Sequence, residues 1–278
     1  LRIQASLETL RYLREKGVKK IIVISHLGRP KGREEELSLE PVAERLAELM
    51  PETTVRFIDQ TYGEKVRDAV EILPEGGILL LENLRFDPGE GENSLPFAQK
   101  VVNDTGVEIF VQDGFGVAHR VQASTVAMAE LLPSAMGLLV ERELDMLQSE
   151  LLNPDRPFVV VIGGAKVEDK QPLIEKFLPI ADRILVGGKI AANGYKADSG
   201  KIYVAEDFDT DEAGNKLDIG PVATAEFVKV LSEAKTVLWN GLLGKVEDVA
   251  FSTGSEIVAK VIGEALDIKS VVCGGDTA

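Results

Sequence analysis

The chain has 278 residues, enough for one large domain or two of ordinary size, and 45% of them are hydrophobic, enough to build proper cores. Its formal charge of −15, from 46 acidic against 31 basic residues, argues against nucleic acid and anionic membrane as partners, because phosphate groups attract basic surfaces. Cys273 is the one cysteine, which leaves no disulfide framework. No run reaches the ~18 apolar residues of a membrane span and residues 1–30 carry no signal-peptide pattern, so a soluble, cytoplasmic protein is expected.

Short apolar runs alternate with helix-period segments throughout, the pattern of parallel βαβ units. Residues 6–16 place Leu7, Leu10 and Tyr12 or Leu13 at helical spacing and stop at Gly17, with Arg2 preceding the helix. The strand IIVIS (21–25) follows, and then a helix over 38–49 with Ser38 as its N-cap and Val42, Leu46 and Leu49 on one face. Helices are predicted at 62–72, 96–103 and 123–131, around the strands ILLLEN (78–83) and EIFVQD (108–113). Gly137 to Asn153 reads as one amphipathic helix, with Val140, Leu144, Leu147 and Leu151 apolar, ended by Asn153-Pro154. Beyond it come FVVVI (158–162), a helix at 169–180 and RILV (183–186). A polar, turn-rich stretch at 196–219 follows, with one short strand at 202–205, and reads as a surface excursion. A helix at 222–234, KTVLW (235–239), a helix at 255–266 and SVVC (270–273) complete the series. The expected fold is α/β: two doubly wound, Rossmann-like parallel-sheet domains, 1–136 and 154–278, joined by the 137–153 helix and facing each other across a cleft.

Ligands of open parallel sheets sit beyond the carboxyl ends of the strands. In the first half those ends run into His26 and Arg29, Arg85, and His119 and Arg120, the two histidines being the only ones in the chain. A guanidinium offers a rigid fork of donors and stays charged, so three such arginines suit a phosphate or carboxylate. Any one alone reads more readily as a solvated loop arginine, and it is three in equivalent positions that reverse the balance; Arg33, Arg45 and Arg67 are read as solvated, and Arg2 by itself is uninformative. In the second half the strand ends run into Gly163-Gly164, Gly187-Gly188 and Gly274-Gly275, where missing side chains let backbone amides meet an anion or simply allow a tight turn. Lys166 and Lys170 are four apart, so both ammonium groups can face one phosphate chain. Asp276 either caps a helix or serves a magnesium ion, and Glu247, seven residues past Asn240, either accepts from a ribose or faces water. Neither GxxxxGK[ST] nor GxGxxG is present.

SHLGRP (25–30), LENLRF (81–86), DGFGVAHRVQAST (113–125), GGAKVEDK (163–170), LDIGP (217–221), TVLWNG (236–241) and GGDTA (274–278) resemble, in order, the signature segments of phosphoglycerate kinases. The resemblance implies reversible transfer of the acyl phosphate of 1,3-bisphosphoglycerate to Mg-ADP, giving 3-phosphoglycerate and ATP in glycolysis, by a hinge-bending monomer. It places phosphoglycerate on Arg2, His26, Arg29, Arg85 and Arg120. The nucleotide falls to Gly163, Gly164, Lys166, Lys170, Gly187, Gly188, Asn240, Glu247, Gly274, Gly275, Asp276 and Thr277, with magnesium on Asp276. Arg2, Lys166 and Gly275 are the implied catalytic positions.

The chain also departs from that pattern. The family's opening strand with its Asp-x-Asn-x-Pro motif and its glycine-rich C-terminal segment are not in this sequence, and the region after Gly188 is short. Lys189, Cys273, Gln122 and Leu242 replace a small residue, a glycine, a histidine and a proline. A non-catalytic, nucleotide-binding remnant is therefore the alternative expectation. An NAD-dependent oxidoreductase would require the GxGxxG that is missing.

Overall fold

The computed structural model describes residues 2–164, 167–274 and 277. The chain divides into two compact units, Leu1–Asp145 and Met146–Ala278.

In chain order, the first unit contains α1 (Arg2–Glu15), β1 (Lys20–Val23), α2 (Glu40–Leu49), β2 (Val55–Ile58), α3 (Glu64–Glu71) and β3 (Gly77–Leu81). It continues with α4 (Pro88–Gly91), α5 (Leu95–Thr105), β4 (Phe110–Gln112), α6 (Met128–Leu131) and β5 (Ser134–Met136), and α7 (Leu138–Leu151) carries the chain past the division. β1, β3 and β2 form a parallel sheet in that order, and β4 pairs in parallel with β5 as a separate ribbon. All five residues of β3 are buried, the continuous apolar run expected of a central strand covered on both faces. Its alternation assigns the faces: Ile78 packs with Leu7, Leu10, Leu46 and Met50 from α1 and α2, while Leu79 and Leu81 pack with Val66, Phe97 and Val101 from α3 and α5. α5 shows how local sequence sets an element. Ser94 caps its start, Pro96 stands in the first turn, and Gly106 ends it in the left-handed conformation at φ 64°.

The second unit holds β6 (Phe158–Ile162), α8 (Val167–Phe177), β7 (Arg183–Val186), α9 (Gly188–Ala192), β8 (Ile202–Val204), β9 (Phe208–Thr210) and β10 (Lys216–Ile219). α10 (Pro221–Ser232), β11 (Thr236–Asn240), α11 (Thr253–Glu264) and β12 (Lys269–Cys273) complete it. Five parallel strands run in the order β12-β11-β6-β7-β8 around one continuous core. The chain winds outward from β6 through β7 to β8 and then returns to β11 on the other side. The topological switch point therefore lies between β6 and β11.

Several elements differ from the sequence expectation. The first helix begins at Arg2, so Arg2 lies in its first turn rather than ahead of it. Ser38 is not the N-cap of α2: its hydroxyl is drawn to the buried carboxylate of Glu82, a stronger acceptor, and Leu39 takes the cap position. β2 and β5 add two strands that the sequence reading did not assign. The 123–131 helix opens as a π-type turn over Ala123–Ala127 before α6. The 196–219 stretch holds three strands, not one: β8 is an edge strand of the main sheet, and the β9-β10 hairpin drives Asp218 and Ile219 into the core. No helix among the described residues is long and apolar enough to cross a membrane.

Candidate active site

In the first unit, the loops after β1, β3 and β4 bring Arg29, Arg85 and Arg120 around one pocket of about 400 Å³, which Pro30, Pro88 and Gln122 also line. None of the three guanidiniums is within ion-pair distance of a carboxylate among the described residues. Asp87, on the pocket rim, is engaged elsewhere, by the Gly89 amide and the Tyr62 hydroxyl. Burial depresses the pKa of Arg85, as does repulsion from Arg120 and Arg29, against a smaller opposing pull from Glu90. His26 belongs to the same cluster. Its half-burial, followed by the guanidiniums of Arg85, Arg120 and Arg2, holds its pKa at about 4. Three like charges converging with no carboxylate in ion-pair contact among the described residues, beside an imidazole kept neutral by burial and by neighbouring guanidiniums, make a site that an anion would neutralise. His119 is exposed and outside the cluster.

The walls of this pocket are held by residues that sequence reasoning missed. Buried Glu90 accepts both the amide and the hydroxyl of Ser124, anchoring the segment that bears Arg120 and Gln122. Burial pushes the Glu90 carboxyl up, while the Ser124 hydrogen bonds and Arg85 pull it down. Asn83, fully buried at the end of β3, donates to the carbonyls of Leu27 and Leu37 and accepts from the amides of Leu27 and Arg85. Glu82 beside it accepts from Leu39 and Ser38. Arg67 is paired with Asp104, Arg45 with Glu48, and Arg33 reaches the Asp59 carbonyl, all outside the pocket lining.

In the second unit the glycine turns do meet, at the switch point, but not as open amide cradles. The Gly163 amide donates to the Asn240 carbonyl and the Gly164 amide to the Leu242 carbonyl. Those two donors are committed inside the protein, which corrects the expectation that they face an anion. What the missing side chains provide is close backbone approach: a Cβ on Gly163 would lie 2.2 Å from the Leu242 carbonyl oxygen, and one on Gly188 2.7 Å from the same atom. Gly187 precedes α9, with its amide given to Ile162. Gly164 leaves room for the Lys170 side chain, whose ammonium donates to the Asn240 side-chain oxygen. Gly241 donates its amide to the Thr277 hydroxyl, and Thr277 returns its own to the Gly274 carbonyl. Thus Gly163, Gly164, Gly188, Lys170, Asn240 and Thr277 are linked through bonds or van der Waals approach. Glu247 stands exposed in a turn, with no hydrogen bond to that network. Lys166, Gly275 and Asp276 lie outside the described residues.

Buried Asp218 braces the floor of this region by accepting from the amides of Ile219 and Gly254; burial raises its pKa against those bonds. Asp207 takes the Val222 and Ala223 amides at the start of α10, so that helix terminus is capped from within.

The family model described as phosphoglycerate kinase matches residues 1–213 and 195–278, two segments that overlap inside the stretch following Gly188. A crystal structure of phosphoglycerate kinase from Pyrococcus horikoshii OT3 aligns with a TM-score of 0.82 at 27% identity, over 99% of this chain and 81% of that one. The phosphoglycerate kinase of Coxiella burnetii aligns with a TM-score of 0.74 at 31% identity, over 99% of this chain and 80% of its own.

Proposed function

Because the chain belongs to the phosphoglycerate kinase family, we propose that it transfers the acyl phosphate of 1,3-bisphosphoglycerate to Mg-ADP, reversibly, giving 3-phosphoglycerate and ATP. The observation that carries this reading is the unpaired cluster of Arg29, Arg85 and Arg120 with His26 and Arg2. A small acid phosphate, with an anionic group at each end, has the charge and size for that pocket. We assign residues 1–136 to phosphoglycerate, 154–278 to the nucleotide and 137–153 to the connection between them, in a monomer of the cytoplasm.

The step balances without a protein nucleophile. A β-phosphate oxygen of ADP bonds to the acyl phosphorus while the phosphorus–carboxylate bond breaks, and the electron pair leaves on the carboxylate of 3-phosphoglycerate. In-line positioning and cancellation of charge on the equatorial oxygens are what the protein must supply. Arg29, Arg85 and Arg120 would grip the acid with planar donors, and Arg2 and Lys166 would meet the moving phosphoryl group. Lys170, steadied by Asn240, would hold nucleotide phosphates. Gly163, Gly164, Gly187, Gly188 and Glu247 would border the adenosine, and Gly274, Gly275 and Thr277 the phosphates. Magnesium, arriving with the nucleotide, would be held by Asp276 and draw charge from the phosphates. A single carboxylate suits such an ion, and the described residues hold no dedicated cluster of three or more metal-ligating side chains.

ATP formation in the presence of a bisphosphoglycerate-generating system tests the reaction. The chain should turn over, and Lys166→Ala should lower kcat by at least roughly a hundredfold with ADP affinity nearly unchanged. Binding of both ligands without turnover would instead identify a non-catalytic relative.

A further inference from the structure

We infer that Asn83, assisted by Glu82, is the positioning residue that sets the Arg29 and Arg85 loops against each other; the inference builds on the reading of that cluster as the phosphoglycerate site. The chain leaves β1, makes an excursion over residues 26–39 that carries His26 and Arg29, and enters α2. Two consecutive side chains at the end of β3 hold that excursion at both ends. Glu82, 2% exposed, receives the Leu39 amide at 2.9 Å and the Ser38 hydroxyl at 2.9 Å. Asn83, 0% exposed, donates at 2.9 Å to each of the Leu27 and Leu37 carbonyls, and its oxygen receives the amides of Leu27 at 3.3 Å and Arg85 at 3.1 Å.

A carboxamide has two donors and two acceptor sites, and here all four are used. Its orientation is forced, since a flipped amide would set donor against donor and oxygen against oxygen at every contact. No other side chain of this size serves: aspartate has no donors, leucine has neither kind of group. One residue thus fixes the backbone beside His26 and the backbone of Arg85, and Arg85 closes the ring by donating its guanidinium to the Gly28 carbonyl at 2.7 Å. The Arg85 guanidinium faces the pocket it shares with Arg29 while its own amide and the backbone two residues before Arg29 are bonded to one carboxamide. Without that tie, repulsion between these two cations would favour separation of the loops.

The test uses Asn83→Ala, the milder Asn83→Ser, and Asp104→Asn as a control. Asp104 makes a comparable structural tie, to the Gly63 amide and Arg67, away from the pocket. Calorimetry reads affinity for 3-phosphoglycerate and for ADP, and proton NMR reads the titration of His26. In the parent protein the His26 midpoint should lie at about 4. Asn83→Ala should weaken 3-phosphoglycerate at least tenfold, leave ADP within twofold, and move the His26 midpoint up toward its ordinary value as the guanidiniums withdraw. Asn83→Ser should give intermediate values, and Asp104→Asn should lower stability while moving neither affinity nor the His26 midpoint. An unmoved His26 midpoint in folded Asn83→Ala or Asn83→Ser overturns the inference. So does a loss equal to that of the control. If the parent protein fails to bind 3-phosphoglycerate, the proposed substrate is wrong, and the His26 titration alone decides whether Asn83 sets the cluster.

Discussion

Arg85 carries the most demanding contact set at the level of single residues, because its guanidinium must hold Gly28 and still present donors to the pocket. Lysine keeps the charge but not the fork. With charge-assisted bonds worth about 1.5–3 kcal/mol, Arg85→Lys should weaken 3-phosphoglycerate by roughly 10–100-fold, as isothermal titration would record. His26 makes a second prediction, on pH. Its folded pKa of about 4 lies below its unfolded value of 6.5, so between those limits the unfolded chain binds a proton that the folded chain does not. Stability contributed by the neutral imidazole is therefore complete above pH 6.5 and falls as pH drops toward 4. Urea midpoints measured across that window should decline, and His26→Gln should flatten the decline; an unaltered slope would place the acid sensitivity elsewhere.

The three arginines were legible from sequence because each lies just past an apolar run, and strand ends of a parallel sheet share one edge. Asn83 was not. In LENLRF it reads as the tail of a strand, and its partners, Leu27 and Leu37, are 56 and 46 residues away, a distance no local pattern spans. The same holds for Glu90 and Ser124, joined across 34 residues.

Among elements, the central strands were legible and the peripheral ones less so. β3 and β6 are unbroken apolar runs because helices cover both their faces, whereas β2 places exposed Arg56 in its middle and the β9-β10 hairpin is mostly polar. The glycine turns show the limit of reading composition as chemistry, since Gly163 and Gly164 were visible but the internal commitment of their amides was not. Gly241 is the clearest case of a backbone-only requirement. Its φ is +96° and a Cβ would sit 2.4 Å from the Gly163 carbonyl oxygen. Gly241→Ala should cost about 1–3 kcal/mol from strain and forced separation of the β6 and β11 turns, read as a lowered thermal midpoint by circular dichroism. It should also weaken ADP, because Lys170 and Asn240 are held by the same turns.

At the scale of the molecule the two units are built to different standards. The second has a five-stranded sheet, a two-stranded hairpin and one continuous core, while the first has a three-stranded sheet and a two-stranded ribbon over three smaller apolar clusters. Edge strands with unpaired amides and cores of limited size open at lower cost. Hydrogen exchange should therefore proceed through the amides of β1, β4 and β5 well before those of β6, β7 and β11; equal protection would mean that the units unfold together. Net charge of −15 adds uniform repulsion that keeps such open edges from joining at low salt.

Trp239 gives the second unit an optical property of its own. It is the only tryptophan in the chain, it is 4% exposed within β11, and its indole nitrogen donates at 2.8 Å to the carbonyl of Gly241, the residue whose amide is bonded to Thr277. Tryptophan emission from this protein is thus that of one chromophore, joined by a single hydrogen bond to the turn beside the residues proposed to bind phosphate. Its colour and intensity report the state of that turn, with no label attached and no second fluorophore of its kind to subtract.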